Sequence, residues 1–108
     1  MLEKLFGSKT AGSVLMYLFV YQEGYPTEMS RVFSLAVSMV QKQLRKFEDG
    51  GILASRLRGK VRIYQWNPRC PYLDELKALL AKNFEYLPDM IRDKYFRQRT
   101  RPRMRNKK

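Results

Sequence analysis

Histidine is absent from the 108-residue chain, and cysteine occurs once, at Cys70. Without histidine there is no Ser-His-Asp or Cys-His catalytic set and no His-containing zinc site. A lone cysteine rules out an internal disulfide and a Cys-only metal site, and it fits a reducing cytoplasm. Long apolar runs are missing too: the stretch 14–21 is far short of the about 20 residues that span a bilayer, and it lacks signal-peptide flanks. Acidic residues are scarce, with 10 Asp plus Glu against 22 Lys plus Arg and a formal charge of +12. The neighbouring pairs Glu48-Asp49 and Asp74-Glu75 have no histidine, glycine-rich loop or metal-ligand spacing beside them. No enzyme, cofactor, metal or membrane partner is therefore expected.

What remains is a chain with 44% hydrophobic and 13% aromatic residues, enough for one domain around a single core. Its charge is unevenly spread. Residues 1–91 carry 13 basic and 9 acidic side chains, whereas residues 92–108 carry 9 basic and 1 acidic. Two thirds of the excess thus lies on the last 17 residues, where Pro102 and near-continuous like charge disfavour packed structure. Such a balance predicts a polyanionic partner and says nothing of fold.

Periodicity predicts the elements. Ser8 or Thr10 can cap a helix running to about Gln22, ended by Gly24 and Pro26. Val14, Leu15, Leu18 and Tyr21 share one face of it and Met16, Tyr17 and Val20 the other, so both faces need cover: core on one side, a partner or the returning C-terminus on the other. Thr27 is a suitable cap for a short helix over 28–33. A third helix is predicted over 37–49, with Val37, Val40, Leu44 and Phe47 inward and Gly50-Gly51 stopping it. Two extended runs, 52–57 and 60–66, joined at Arg58-Gly59, read as a hairpin. Alternation places Arg56 and Arg58 on one face, and Lys60 and Arg62 together on a face of the returning strand. Pro71 suits the first position of a further helix, with Asp74 and Glu75 in its first turn and Leu73, Leu76, Leu80, Phe84 and Leu87 as its seam. Pro88 interrupts it, and a last helix over 89–97 is expected.

Helix, short helix, helix, hairpin, helix is the order of a winged helix-turn-helix: mainly α with a small β-hairpin (α+β), a three-helix core plus wing and C-terminal helix. Ser30, Met29, Phe33, Leu35, Val40 and Leu44 suit two helices crossing over a short turn. The domain is expected to occupy residues 1–87, with an extra helix at 88–97 and a basic, disordered tail at 98–108.

Over residues 2–80 the chain resembles the winged-helix DNA-binding modules of ArsR-like and MarR-like bacterial and archaeal regulators. It is especially similar to a subgroup that opens with Leu-Phe-Gly-Ser, here Leu5-Phe6-Gly7-Ser8, some of whose members carry a fused nucleotidyltransferase domain. The resemblance is most specific at Leu44, Phe47, Glu48, Gly51 and Leu53, and at Tyr64, Asn67 and Pro68 where the hairpin ends. The chain departs from the family in having Ser34 where the turn usually holds Gly, and Ala36 where the third helix usually opens with Ser or Thr. It also lacks the Cys and His motifs of the metal-sensing members, and no nucleotidyltransferase sequence follows.

The resemblance implies a sequence-specific, DNA-binding transcriptional regulator, with helix 37–49 in the major groove of double-stranded DNA. Ser38, Gln41, Lys42 and Arg45, which helical spacing puts on one exposed side, are then the candidate base contacts. Arg56, Arg58, Lys60 and Arg62 in the wing 56–62 are candidate phosphate contacts. Arg97, Arg99, Arg101, Arg103 and Arg105 in the tail are non-specific ones, each contact steepening the salt dependence by about 0.9 log units. The plainer readings are a solvated helix face, and a hairpin kept from aggregating by its charges. A homodimer through the first predicted helix and the C-terminal helix is expected. A basic RNA- or ribosome-associated winged-helix protein, or a protein-interaction module, remain the alternatives.

Overall fold

The computed structural model describes residues 2–96, so the five tail arginines from Arg97 to Arg105 lie outside the described residues. In chain order the elements are α1 (Leu2–Phe6), α2 (Lys9–Tyr21), β1 (Glu23–Gly24), α3 (Pro26–Phe33), α4 (Val37–Asp49), β2 (Leu53–Arg58), β3 (Val61–Trp66), α5 (Leu73–Glu85) and α6 (Asp89–Phe96).

The α2 helix is the central rod. Ser8 caps it, its side chain accepting from the amide of Ala11 at 3.0 Å, and Gln22 closes it in the left-handed region. Every residue from Thr10 to Leu18 is buried except the half-buried Ser13. Fully burying one large apolar side chain is worth about 1.5–3 kcal/mol, against about 1 kcal/mol at most for an exposed ion pair, so enclosure of α2 dominates the packing. Of the two covers that its double-sided pattern asks for, the returning C-terminus is the one present. The α5 helix packs on α2, Phe19 meets Phe84 at 6.1 Å, and the Tyr21 hydroxyl donates to the carbonyl of Tyr95 at 3.1 Å. The ring of Phe96 then lies between Phe33 and Phe84.

The helix-turn-helix forms between α3 and α4. Helix α3 begins at Pro26, with Tyr25 at the capping position, so Thr27 lies inside the helix and caps nothing. A proline is preorganised for the first helical turn, which explains the earlier start. Ser34 takes φ 57° at the turn. The α4 helix has the predicted bounds and closes with a Schellman arrangement, the amide of Ile52 reaching the carbonyl of Phe47 and that of Gly51 reaching Glu48. Gly51 sits at φ 83°. Val40, Leu44 and Phe47 are buried, but Val37 is 39% exposed: the first helical residue projects beyond the packed part of the turn.

The sheet has the order β1-β3-β2, all antiparallel. The hairpin strands begin one residue later than predicted. Gly59 and Lys60 form the turn, with positive φ at Gly59 alone (65°), as a II′-type hairpin turn requires. Trp66 anchors the wing, its indole N–H donating to the carbonyl of Leu18 at 3.2 Å. Asn67 clamps the base of the hairpin: its amide donates to Ile52 and its side chain to Gly51, both at 3.0 Å. Pro71 lies in a turn ahead of α5, which starts at Leu73 and keeps Asp74 and Glu75 in its first turn. Leu80 is the buried residue of its seam, with Leu73, Leu76, Phe84 and Leu87 partly buried around it. Cys70 is buried just before α5. Among the described residues no helix is long and apolar enough to cross a membrane.

Two elements had no sequence signal strong enough to find. Helix α1 is held by Phe6, whose ring stands edge-on to Phe47 at 6.5 Å. Strand β1 is two residues long, and Gly24 is its key: an added Cβ would lie 2.5 Å from the Tyr17 ring and 2.9 Å from the Met29 methyl.

Candidate nucleic-acid interface

On α4 the buried residues Val40, Leu44 and Phe47 define the inward side. Steps of three and four residues then carry Ser38, Lys42 and Arg45 along the opposite side, with Gln41 at its edge. All four are exposed. Among the described residues neither Lys42 nor Arg45 has an ion-pair partner. Met39, 50% exposed, and Val37 extend the same projecting end, an apolar contribution that the polar stripe in the sequence does not reveal.

The wing differs. Register pairs Arg56 with Ile63, Leu57 with Arg62 and Arg58 with Val61. Arg56 and Arg58 therefore share one face as expected, while Arg62 projects from the other and Lys60 belongs to the turn. The four cations do not form one patch. Arg56 is turned back onto the sheet, with one guanidinium nitrogen 3.1 Å from the Glu23 carboxylate and another bonded to Gln65. The hairpin contains no acid, but β1, 33 residues earlier in the chain, supplies one. As placed, Arg56 ties β2 to β1 across β3 and is not free for an external anion. Arg58 and Lys60 remain exposed at the tip without ion-pair partners among the described residues.

Arg62 connects the two parts. Its guanidinium donates to Ser55 Oγ at 2.9 Å, and the Ser55 hydroxyl donates to Glu48 Oε2 at 2.6 Å. Glu48 is near the C-terminal end of α4, so a charged hydrogen-bond chain joins helix to wing. Tyr64 lies in the same field. Its phenol is pushed above the ordinary tyrosine range by burial first and the Glu48 charge second, while Arg62 and Arg45 pull the other way. Arg45 of α4 and Arg62 of the wing thus both act electrostatically on the same buried ring. Glu23, Glu48 and Ser55 are the site residues that the sequence did not disclose, because each acts through a contact between elements.

On the far side of the helix-turn-helix, the Tyr17 hydroxyl donates to Glu28 Oε1 at 2.8 Å. Burial, then that hydrogen bond, raises the phenol well above its usual range. This contact fixes α3 against α2, upstream of the turn that aims α4.

A helix-turn-helix followed by a hairpin wing defines the winged-helix fold, here α+β with six helices and a three-stranded antiparallel sheet among the described residues. The same fold occurs in ZitR of Lactococcus lactis: a point mutant superposes with a TM-score of 0.56 at 14% identity, over 82% of this chain and 62% of that one. A double mutant of ZitR in apo form gives 0.56 at 11% identity, over 85% of this chain and 73% of that one. The adhesin competence repressor AdcR of Streptococcus pyogenes gives 0.56 at 15%, over 87% and 73%. The chain spans less than two thirds of the first of these. No protein-family profile and no curated protein sequence matches the chain.

Proposed function

We propose that this protein is a sequence-specific, dimeric DNA-binding transcriptional regulator. Helix α4 enters the major groove, which is wide enough for a helix, and presents Ser38, Gln41, Lys42 and Arg45 to base edges. Gln41 suits adenine and Arg45 guanine, by bidentate pairing. Arg58 and Lys60 meet backbone phosphates beside it, Arg62 chiefly couples the wing to α4 through Ser55, Arg56 acts chiefly by bracing the sheet, and the tail arginines Arg97, Arg99, Arg101, Arg103 and Arg105 add sequence-independent attraction. The observation that carries the reading is the exposed cationic side of α4, without ion-pair partners among the described residues and tied through Glu48 and Ser55 to the wing. Structural likeness to a protein named as a repressor agrees with it.

Selection of bound sequences from a random duplex pool, followed by titration over a salt series, tests the reading. Arg45→Ala should lose about 1–3 kcal/mol of preference for the selected site over random duplex. Arg58→Ala should weaken all duplexes alike and flatten the salt slope by about 0.9. Removal of residues 98–108 should flatten it further and leave sequence preference intact. Tighter binding to RNA than to any duplex DNA would favour the RNA-associated reading, and equal losses on all sequences with Arg45→Ala would end the base-reading role.

A further inference from the structure

The tip of the wing is apolar, which a hairpin shielded only by its charges would not be. Leu57 is 62% exposed and Val61 is 40% exposed, on either side of the turn at Gly59-Lys60. Register sets Leu57 opposite Arg62 on one face of the hairpin, and Val61 opposite Arg58 on the other. A single exposed leucine is ordinary on a protein surface. The cations around this one set it apart. Arg62 could cover Leu57 with its methylene stem. Instead its guanidinium reaches back to Ser55 Oγ at 2.9 Å, toward the base of the hairpin. On the other face Arg56 also turns toward the base, to Glu23 at 3.1 Å and to Gln65. Both long side chains are withdrawn from the tip, and the leucine is left bare.

Arg58 and Lys60 flank it, exposed and without ion-pair partners among the described residues. The tip is therefore an apolar knob between two free cations. Its complement is an apolar recess between rows of negative charge. The minor groove of duplex DNA has that form, with stacked bases at its floor and phosphates along both rims. Its width of about 6 Å admits a side chain and excludes a helix. Position agrees as well. Ser55, on the same face as Leu57, bonds to Glu48 near the end of α4. Leu57 lies two residues further out, about 7 Å along the strand.

We infer that Leu57 is a wedge, which enters the minor groove beside the major-groove site of α4, pushes between two stacked base pairs and kinks the duplex. Arg58 and Lys60 hold the phosphates on either side of it. The inference rests on the duplex-binding part of the preceding reading and adds to it a deformation of the bound DNA. It also assigns sequence preference to a step that no side chain reads by hydrogen bonds. Pyrimidine–purine steps unstack most easily, so one of them should lie under the wing.

The full chain on a selected duplex tests this, with dyes at both ends and a fluorescent adenine analogue that brightens when unstacked. The analogue is placed in turn at each adenine on the wing side of the site. The natural protein should brighten it at one step and kink the duplex by about 20–90°. Leu57→Ser, a change at an exposed position, should leave the unfolding curve in place and bind about tenfold more weakly, with neither signal. Leu57→Met, which keeps an apolar wedge, should keep both. Arg58→Ala should weaken binding yet still bend the duplex at saturation. Replacing the flexible step by a stiff run of adenines should cost the natural protein affinity and leave Leu57→Ser unaffected. Sequence-selective binding with neither signal, or signals that survive Leu57→Ser, would overturn the wedge and leave the regulator reading standing. Leu57-dependent binding to phosphatidylserine vesicles, with duplex binding indifferent to Leu57, would assign the tip to a membrane and overturn it too. Leu57-dependent unstacking of every duplex alike, with no selected site, would support the wedge and defeat the sequence-specific reading alone.

Discussion

Helix α4 and the wing carry similar numbers of cations and use them differently. On α4, Lys42 and Arg45 project outward with no ion-pair partner among the described residues. In the wing, Arg56 is held by Glu23 and Gln65, and Arg62 is engaged through Ser55 with Glu48. The contrast follows from geometry. A helix that buries one side leaves the other a full turn away from neighbouring elements, whereas each face of a short sheet passes its neighbours' side chains. Cations counted along a hairpin therefore overstate what it offers an external anion. Those on the outer side of α4 do not.

The sharpest way to break this contrast is to loosen β1, which brings Glu23 to the wing. Gly24→Ala places a methyl within 2.5 Å of the buried Tyr17 ring. Overpacking of that kind costs about 1–3 kcal/mol, to be read from urea unfolding. A cost near zero would mean that β1 yields easily and holds Arg56 only loosely. A smaller change sharpens the contrast without disturbing the packing. Glu23→Gln removes the charge that holds Arg56, freeing the guanidinium for a phosphate, and should steepen the salt slope of duplex binding by up to about 0.9. Arg56→Ala in the natural protein should leave that slope almost unchanged. If it flattens the slope as much as Arg58→Ala does, the wing cations are equivalent and the contrast fails.

Much of this arrangement is legible in the residues alone. The bounds of α4 follow from its 3-4-3 apolar spacing and the glycine pair after it, and those four exposed positions follow from the same period. Hairpin and seam are visible because alternation and heptad-like spacing are local. The missing parts are contacts between distant segments. Nothing near Arg56 announces Glu23, and two residues of strand at Glu23-Gly24 are too short to show any period. The hairpin turn lies one residue later than expected because Arg58-Gly59 and Gly59-Lys60 are equally plausible turns in sequence, and the positive φ at Gly59 selects the second. Helix α1 exists by virtue of Phe6 meeting Phe47, a contact 41 residues apart that local propensity cannot express.

The smallest effect concerns the aim of α4 and not its charges. Ser34 adopts φ 57° between α3 and α4, its amide reaching back to the carbonyl of Ser30, and the amide of Leu35 reaches the same oxygen at 3.0 Å. A side chain with a Cβ is strained in that region by about 1 kcal/mol, and glycine is not. This chain therefore holds a strained hinge immediately before α4. Ser34→Gly relieves the strain but also enlarges the conformational freedom of the unfolded chain, which offsets part of the gain. The expected net is a stabilisation of at most about 1 kcal/mol in urea unfolding, with affinity for a selected duplex unchanged within about twofold. Lower stability would show that the Ser34 side chain makes a compensating contact. Unchanged stability with weaker duplex binding would show that the rigid serine turn, and not the four outward side chains alone, sets how α4 meets the groove.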